Sequence, residues 1–105
     1  MTRDKHAHWP ARRRSASFAS DSKTKHELAV AINDELCHQG LSQPAAAAVL
    51  DMPQPNISAL VNYRLEGFSV QRLIRILNGL GKDVVIHVGA RRVPGKVGKT
   101  SVSAA

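Results

Sequence analysis

Apolar residues recur every four positions in the first half of the chain, at Leu28, Ile32 and Leu36. This is the spacing of one face of a helix. Gly40 follows at the position of a helix C-cap glycine, which adopts left-handed backbone angles without steric cost. The pattern therefore predicts a first helix over residues 22–39.

Two short helices follow in the pattern. Ser42 is a suitable N-cap and Pro44 is tolerated in a first helical turn, so a second helix of small side chains is predicted over residues 43–50. Pro53 cannot continue that helix. A third helix is then predicted over residues 54–62. Its apolar positions are Ile57, Leu60 and Val61.

A fourth helix and a strand complete the predicted domain. Ser69 caps the helix and Gly81 ends it. Its inward positions are Leu73, Ile76, Leu77 and Leu80. Residues 84–88 are mostly β-branched, which is typical of a strand, and the simplest partner for a lone strand is its copy across a two-fold axis. The sequence thus predicts an all-α domain of four helices with a C-terminal β-strand that pairs across a homodimer.

The charge of the chain is concentrated at its two ends. Of a formal net charge of +7, residues 1–21 carry +3 and residues 89–105 carry +4, which leaves residues 22–88 neutral. We predict a disordered basic arm at 1–21, a domain at 22–88 and a flexible basic tail at 89–105. The arginines at positions 12 to 14 form either a DNA-binding arm or a solubilising segment.

Cysteine usage and hydropathy indicate where the protein resides. The single cysteine, Cys37, cannot form an internal disulfide and suits a reducing compartment. No apolar run reaches the eighteen residues of a membrane span, and the N-terminus lacks the apolar stretch of a secretory signal. We expect a cytoplasmic protein that has no membrane partner.

The paired short helices meet the requirements of a helix-turn-helix. Such a unit needs a small residue in its first helix, a turn residue that tolerates left-handed geometry, and apolar anchors in its second helix. Ala47 supplies the small residue and Asp51 sits at the turn. The anchors are Ile57 and Leu60.

The segments that form the helix-turn-helix and the fourth helix resemble a known family. The strings GLSQPAAAAVLDMPQPNISAL and FSVQRLIRILNGLGKDVVIHV resemble the lambda-repressor-like, Xre-type helix-turn-helix regulators. Within them the chain is most similar to the short branch that includes HigA-type antitoxins. The resemblance runs from about Leu28 to Val88, and it implies a DNA-binding domain.

The resemblance also implies roles for particular residues. Gln43 matches the glutamine that starts the second helix and steadies a phosphate contact. Gln54 matches the first residue of the recognition helix, where a glutamine bonds adenine N6 and N7 together. The remaining matched positions, which face the groove or the phosphates, are Asn56, Ser58, Ala59, Asn62 and, just after the helix, Arg64. The competing interpretation is that both glutamines are ordinary solvated side chains.

The chain departs from the family pattern at three positions. Asp51 stands where glycine is usual, Pro53 replaces the usual N-cap serine, and Asn56 replaces a residue that is basic in many relatives. With a neutral domain, we expect affinity for DNA to depend on the three arginines of the N-terminal arm or on Arg91 and Arg92.

We predict a transcriptional repressor that binds an inverted repeat of double-stranded DNA as a dimer. Two alternatives remain at this stage: an antitoxin that neutralises a toxin protein, and a non-specific nucleoid-type protein. No arrangement of carboxylates, cysteine with histidine, or metal ligands has a usable spacing. We therefore expect no catalysis, no cofactor and no metal.

Overall fold

The computed structural model describes residues 11–90 and 95–104, and for residues 11–20 it describes the backbone alone. Four α-helices follow one another in the described ranges. They are α1 (Ala11–His38), α2 (Gln43–Leu50), α3 (Gln54–Val61) and α4 (Val70–Gly79). The predicted all-α class and the four helices are confirmed.

The core forms where α4 packs along α1 and the α2–α3 pair packs on both. All nine positions that the sequence assigns to the faces of α1 and α4 and to the α3 anchors are buried. They are Leu28, Ile32, Leu36, Ile57, Leu60, Leu73, Ile76, Leu77 and Leu80. Ala29, Ala46 and Phe68 join this core without having been predicted in it.

Side-chain caps and left-handed residues set the helix ends. The Ser69 hydroxyl accepts a hydrogen bond from the Arg72 backbone N–H at 3.0 Å, and the Ser42 hydroxyl accepts one from the Ala45 N–H at 3.3 Å. Gly40 and Asp51 both adopt left-handed backbone angles, with φ of 66° and 52°. Each of these four predicted boundaries is confirmed.

Two polar side chains, one in α1 and one just after its end, reach other helices. Asn33 Nδ2 donates to the Leu60 carbonyl at 3.3 Å, in the last turn of α3, and to the Ala29 carbonyl in α1 at 3.0 Å. Gln39 Nε2 donates to the Leu80 carbonyl at the end of α4, at 2.8 Å. The Gln39 bond supplies a donor to the carbonyl of the α4 C-cap, which no intrahelical N–H reaches.

Glu35 joins the second of these contacts. Its carboxylate accepts a hydrogen bond from Gln39 Nε2 at 2.6 Å and lies 3.6 Å from Lys82 Nζ. The Gln39 bond, together with the positive charges of Lys82 and His38, lowers the pKa of Glu35 below its ordinary value, against the opposing effect of desolvation. We call the contacts among Glu35, Gln39, Leu80 and Lys82 the C-terminal latch.

The N-terminal arm is helical where the structure describes it. Helix α1 begins at Ala11, so residues 11–21 of the arm that the sequence predicts to be disordered are helical in the structure, while residues 1–10 lie outside the described ranges. The segment has no apolar period, but it contains neither glycine nor proline and is rich in alanine and arginine. Such residues extend an existing helix at little cost.

The predicted strand is absent from the single chain. Residues 84–88 form no strand and make no backbone hydrogen bond within the described ranges. A β-branched run needs a neighbouring strand, and the described part of the chain offers none. In the C-terminal tail, which the sequence predicts to be flexible, Val102 is half-buried against the core.

Substitutions at the α2–α3 turn test its left-handed geometry. We expect Asp51→Val to lower the free energy of unfolding by about 1–2 kcal/mol, because a β-branched residue is strained at positive φ. Asp51→Gly removes the same carboxylate without that strain and should not destabilise the domain. Thermal unfolding followed by circular dichroism would separate the two variants by roughly 4–8 °C per kcal/mol, and equal melting temperatures would contradict the prediction.

The lowered pKa of Glu35 predicts a pH dependence of the latch. A carboxylate whose pKa is depressed by folding stabilises the folded state above its ordinary pKa and loses that effect as the pH falls through the depressed value. The stability advantage of wild type over Glu35→Gln at pH 7 should therefore vanish in acid. Melting curves from pH 7 to about pH 3 measure it, with Asp34→Asn, which lies outside the latch, as the control. A difference that is constant with pH would refute the effect.

Candidate nucleic-acid interface

The turn between α2 and α3 is tight because small residues let the two helices approach. Ala46 is fully buried, whereas Ala47, the residue that the sequence analysis assigned to this contact, is only half-buried against the core. The Met52 N–H donates to the Ala47 carbonyl at 3.0 Å, and the Asp51 N–H donates to the Ala48 carbonyl at 3.3 Å. Only three residues, 51–53, therefore separate the end of α2 from the start of α3.

Helix α3 presents one anchored side and one open side. Ile57 and Leu60 are fully buried. Gln54, Ser58 and Asn62 follow one another at intervals of four residues, which places them on one stripe of the helix away from these anchors. Gln54 and Asn62 are exposed and Ser58 is half-buried. We call these three residues the α3 stripe.

Asn62 has a structural contact of its own. It is the C-cap of α3, and its Nδ2 donates to the Ser58 carbonyl at 2.8 Å. One amide proton is therefore used inside the protein, and the side-chain oxygen and the second proton are left for other partners. At the other end Pro53 makes no capping bond, as its side chain predicts.

The other predicted residues lie away from the stripe. Asn56 and Ala59 are on a second flank of α3 and line a cleft of about 290 Å³. The remaining lining residues are Arg64, Glu66, Gly67, Phe68 and Arg72. Gln43 is the first residue of α2 and is half-buried. The seven predicted residues thus divide into the α3 stripe, the cleft and the start of α2.

The helix-turn-helix itself carries almost no charge. Between residues 42 and 62 the only charged side chain is Asp51, an acid. Two cations, Arg64 and Arg72, line the cleft beside α3. Any attraction for phosphate must therefore come from residues around the helix pair.

Arg72 is the residue that sequence reasoning missed. Its guanidinium carbon lies 5.0 Å from the centre of the Phe68 ring, in cation–π geometry. Phe68 lies in the loop before α4 and Arg72 lies in the first turn of α4, on either side of the N-cap Ser69. The contact therefore depends on how the loop folds. The available signal was their separation of four residues, which is one helical turn. The predicted contacts of Arg91 and Arg92 lie outside the described residues, as do the side chains of the N-terminal arginines.

The described ranges contain neither a metal-binding cluster nor a membrane-spanning helix. In the described ranges, no group of three or more His, Cys, Asp or Glu residues is arranged to hold a metal ion. No helix in those ranges has the length and apolar character to cross a membrane.

Comparison with known proteins gives two matches. Residues 15–89 match a protein family described as a helix-turn-helix domain. A solved structure described as an XRE family transcriptional regulator is 46% identical to the chain, with a TM-score of 0.78. The match covers 83% of this chain and 98% of that one. No curated protein matches the chain significantly.

Proposed function

The chain belongs to the XRE family of helix-turn-helix regulators, and on that premise we propose that it represses transcription as a dimer at an inverted repeat. The family consists of DNA-binding regulators and not of enzymes, so the prediction that the chain catalyses no reaction is confirmed. The more specific resemblance to HigA-type antitoxins has no support from the two matches.

The observation that carries the proposal is the α3 stripe opposite two buried anchors. A helix held by Ile57 and Leu60 presents Gln54 and Ser58 outward as neutral hydrogen-bonding groups, which suits direct contact with base edges in the major groove. In this proposal Gln54 reads adenine, and Ser58 and Asn62 make the neighbouring contacts. Gln43, at the start of α2, steadies a phosphate.

The dimer is proposed from the exposed segment at 84–88. Val85, Ile86 and Val88 are 87%, 75% and 90% exposed, and the backbone between them is unpaired in the described part of the chain. Antiparallel pairing with a second copy would cover these side chains and satisfy the backbone. Two recognition helices about 34 Å apart would then meet half-sites one helical turn apart.

Neutralisation of a toxin is the less favoured function. Capture of a basic toxin requires an acidic or apolar segment, and residues 89–105 contain four basic residues and no acid.

Regulation of transcription requires access to the chromosome, which agrees with the cytoplasmic location that the sequence predicts.

Replacing Gln54 tests whether α3 reads bases. For a duplex selected by the wild-type protein from a random library, we expect Gln54→Ala to weaken binding by about 5- to 150-fold, because a bidentate base contact contributes roughly 1–3 kcal/mol. Binding to a scrambled duplex should hardly change. Fluorescence anisotropy at two salt concentrations measures both.

Gln71→Ala is the matched control, since Gln71 is an exposed glutamine on α4. It should bind both duplexes as wild type does. If Gln54→Ala left the preference intact, base reading by this residue would be excluded. If wild type showed no preference and lost binding at higher salt, the non-specific alternative would hold instead.

A charge inside the exposed segment tests the dimer. We expect sedimentation of the wild-type protein to give a dimer at micromolar concentration and Ile86→Asp to give a monomer, because a buried unpaired carboxylate is costly. Val97→Asp makes a similar change at another exposed valine, outside the segment, and should remain dimeric. A monomeric wild type would refute the dimer.

A further inference from the structure

Arg72 differs from an ordinary surface arginine because its guanidinium is held in place. Phe68 beneath it is buried in the core, so the ring that supports the guanidinium, 5.0 Å away, is itself fixed. A guanidinium has several N–H donors, so one that lies over a ring keeps donors for another partner. No carboxylate within the described ranges lies at ion-pair distance from Arg72. The charge is therefore positioned but not neutralised by a partner.

The cleft beside Arg72 has the composition of an anion site. It has a volume of about 290 Å³, and its lining includes two cations, Arg64 and Arg72, and one acid, Glu66. The Asn56 side chain adds an amide that can donate a hydrogen bond. Gly67 leaves its part of the wall open, because a Cβ built there would meet no atom within 4 Å.

The position of the cleft beside α3 indicates that the anion is a phosphate of the DNA backbone. Asn56 and Ala59 form its α3 wall, so the cleft opens on the second flank of α3, next to the flank that carries the α3 stripe. A duplex in contact with that stripe would bring its sugar–phosphate backbone alongside the helix. The helix-turn-helix offers that backbone no cation of its own, and an arginine held by stacking loses little freedom on binding.

We propose that this cleft binds a phosphate of the DNA backbone and that Arg72, held by Phe68, is the side chain that grips it. The inference rests on the proposed function, since it requires a duplex on α3. It adds a cationic phosphate contact within the domain to any contribution from the basic ends of the chain. Glu66 opposes the contact, because its negative charge lines the same cleft.

The test compares two arginines of α4. Arg72→Ala should weaken binding about tenfold, the size expected for one charge-assisted contact, and by the same factor on the selected and the scrambled duplex. The slope of log K against log salt should fall by about one, because one phosphate contact is lost. Arg75→Ala removes an equal charge from an exposed position on the same helix and should have a much smaller effect on both quantities.

Two more variants separate the contact from folding. Glu66→Gln should strengthen binding several-fold without changing sequence preference, a gain that misfolding cannot produce. Phe68→Leu keeps the core position apolar but removes the ring, and it should weaken binding in the same uniform way with Arg72 still present. Circular dichroism melts verify that each variant is folded at the assay temperature.

The outcomes distinguish this proposal from the one on which it rests. If Arg72→Ala and Arg75→Ala weaken binding equally and Glu66→Gln has no effect, the phosphate site is refuted while base reading by α3 stands. If no duplex is preferred but the Arg72 variant alone lowers the salt slope, the phosphate site stands and sequence-specific reading falls. If the folded wild-type protein binds no DNA at low salt, both proposals are wrong.

Discussion

The recognition helix exists because two of its side chains are buried. Helix α3 has eight residues, and isolated helices of that length are not stable in water. Ile57 and Leu60 are fully enclosed, and burial of such side chains contributes roughly 1.5–3 kcal/mol each, more than helix propensity supplies. Asn33 adds a bond to the last turn of α3. The α3 stripe, which we propose to face the DNA, therefore takes its position from the packing of α3 on the rest of the domain.

In the proposed function, the residues that read the sequence are separate from the residues that attract DNA. The α3 stripe is neutral, so its contacts can discriminate between bases but add little to the general affinity for phosphate. Cations lie elsewhere, among them Arg64 and Arg72 beside α3 and the basic residues at both ends of the chain. A neutral reading surface lowers the affinity for wrong sequences, because non-specific binding is almost entirely electrostatic. The number of flanking cations then sets how tightly any DNA is held.

The sequence predicted those features that depend on local pattern. Helix faces and caps are local, since a four-residue apolar period and a serine before it need no distant partner, and Ser69 and Leu73 behave as predicted. The start of α1 was missed because helix extension requires only good helix formers, whereas the prediction of α1 depended on an apolar face. The prediction of a strand at 84–88 was wrong for the single chain because a strand needs a partner strand, which the pattern of one segment does not reveal. The stacking of Arg72 on Phe68 was missed because it depends on the fold of the loop before α4.

The same packing that holds α3 also determines where the chain leaves the domain. The C-terminal latch joins the end of α4 to α1 through Gln39 and Leu80, and through Glu35 and Lys82. Residues 84–88 begin two positions beyond Lys82, so their starting point is fixed relative to α1, on which α3 also packs. A second copy paired along this segment would therefore hold the two recognition helices at a defined separation. The packing of the core would then determine the spacing of the half-sites. A core substitution that tilts α4 would change which operators are bound, although it replaces no residue that contacts DNA.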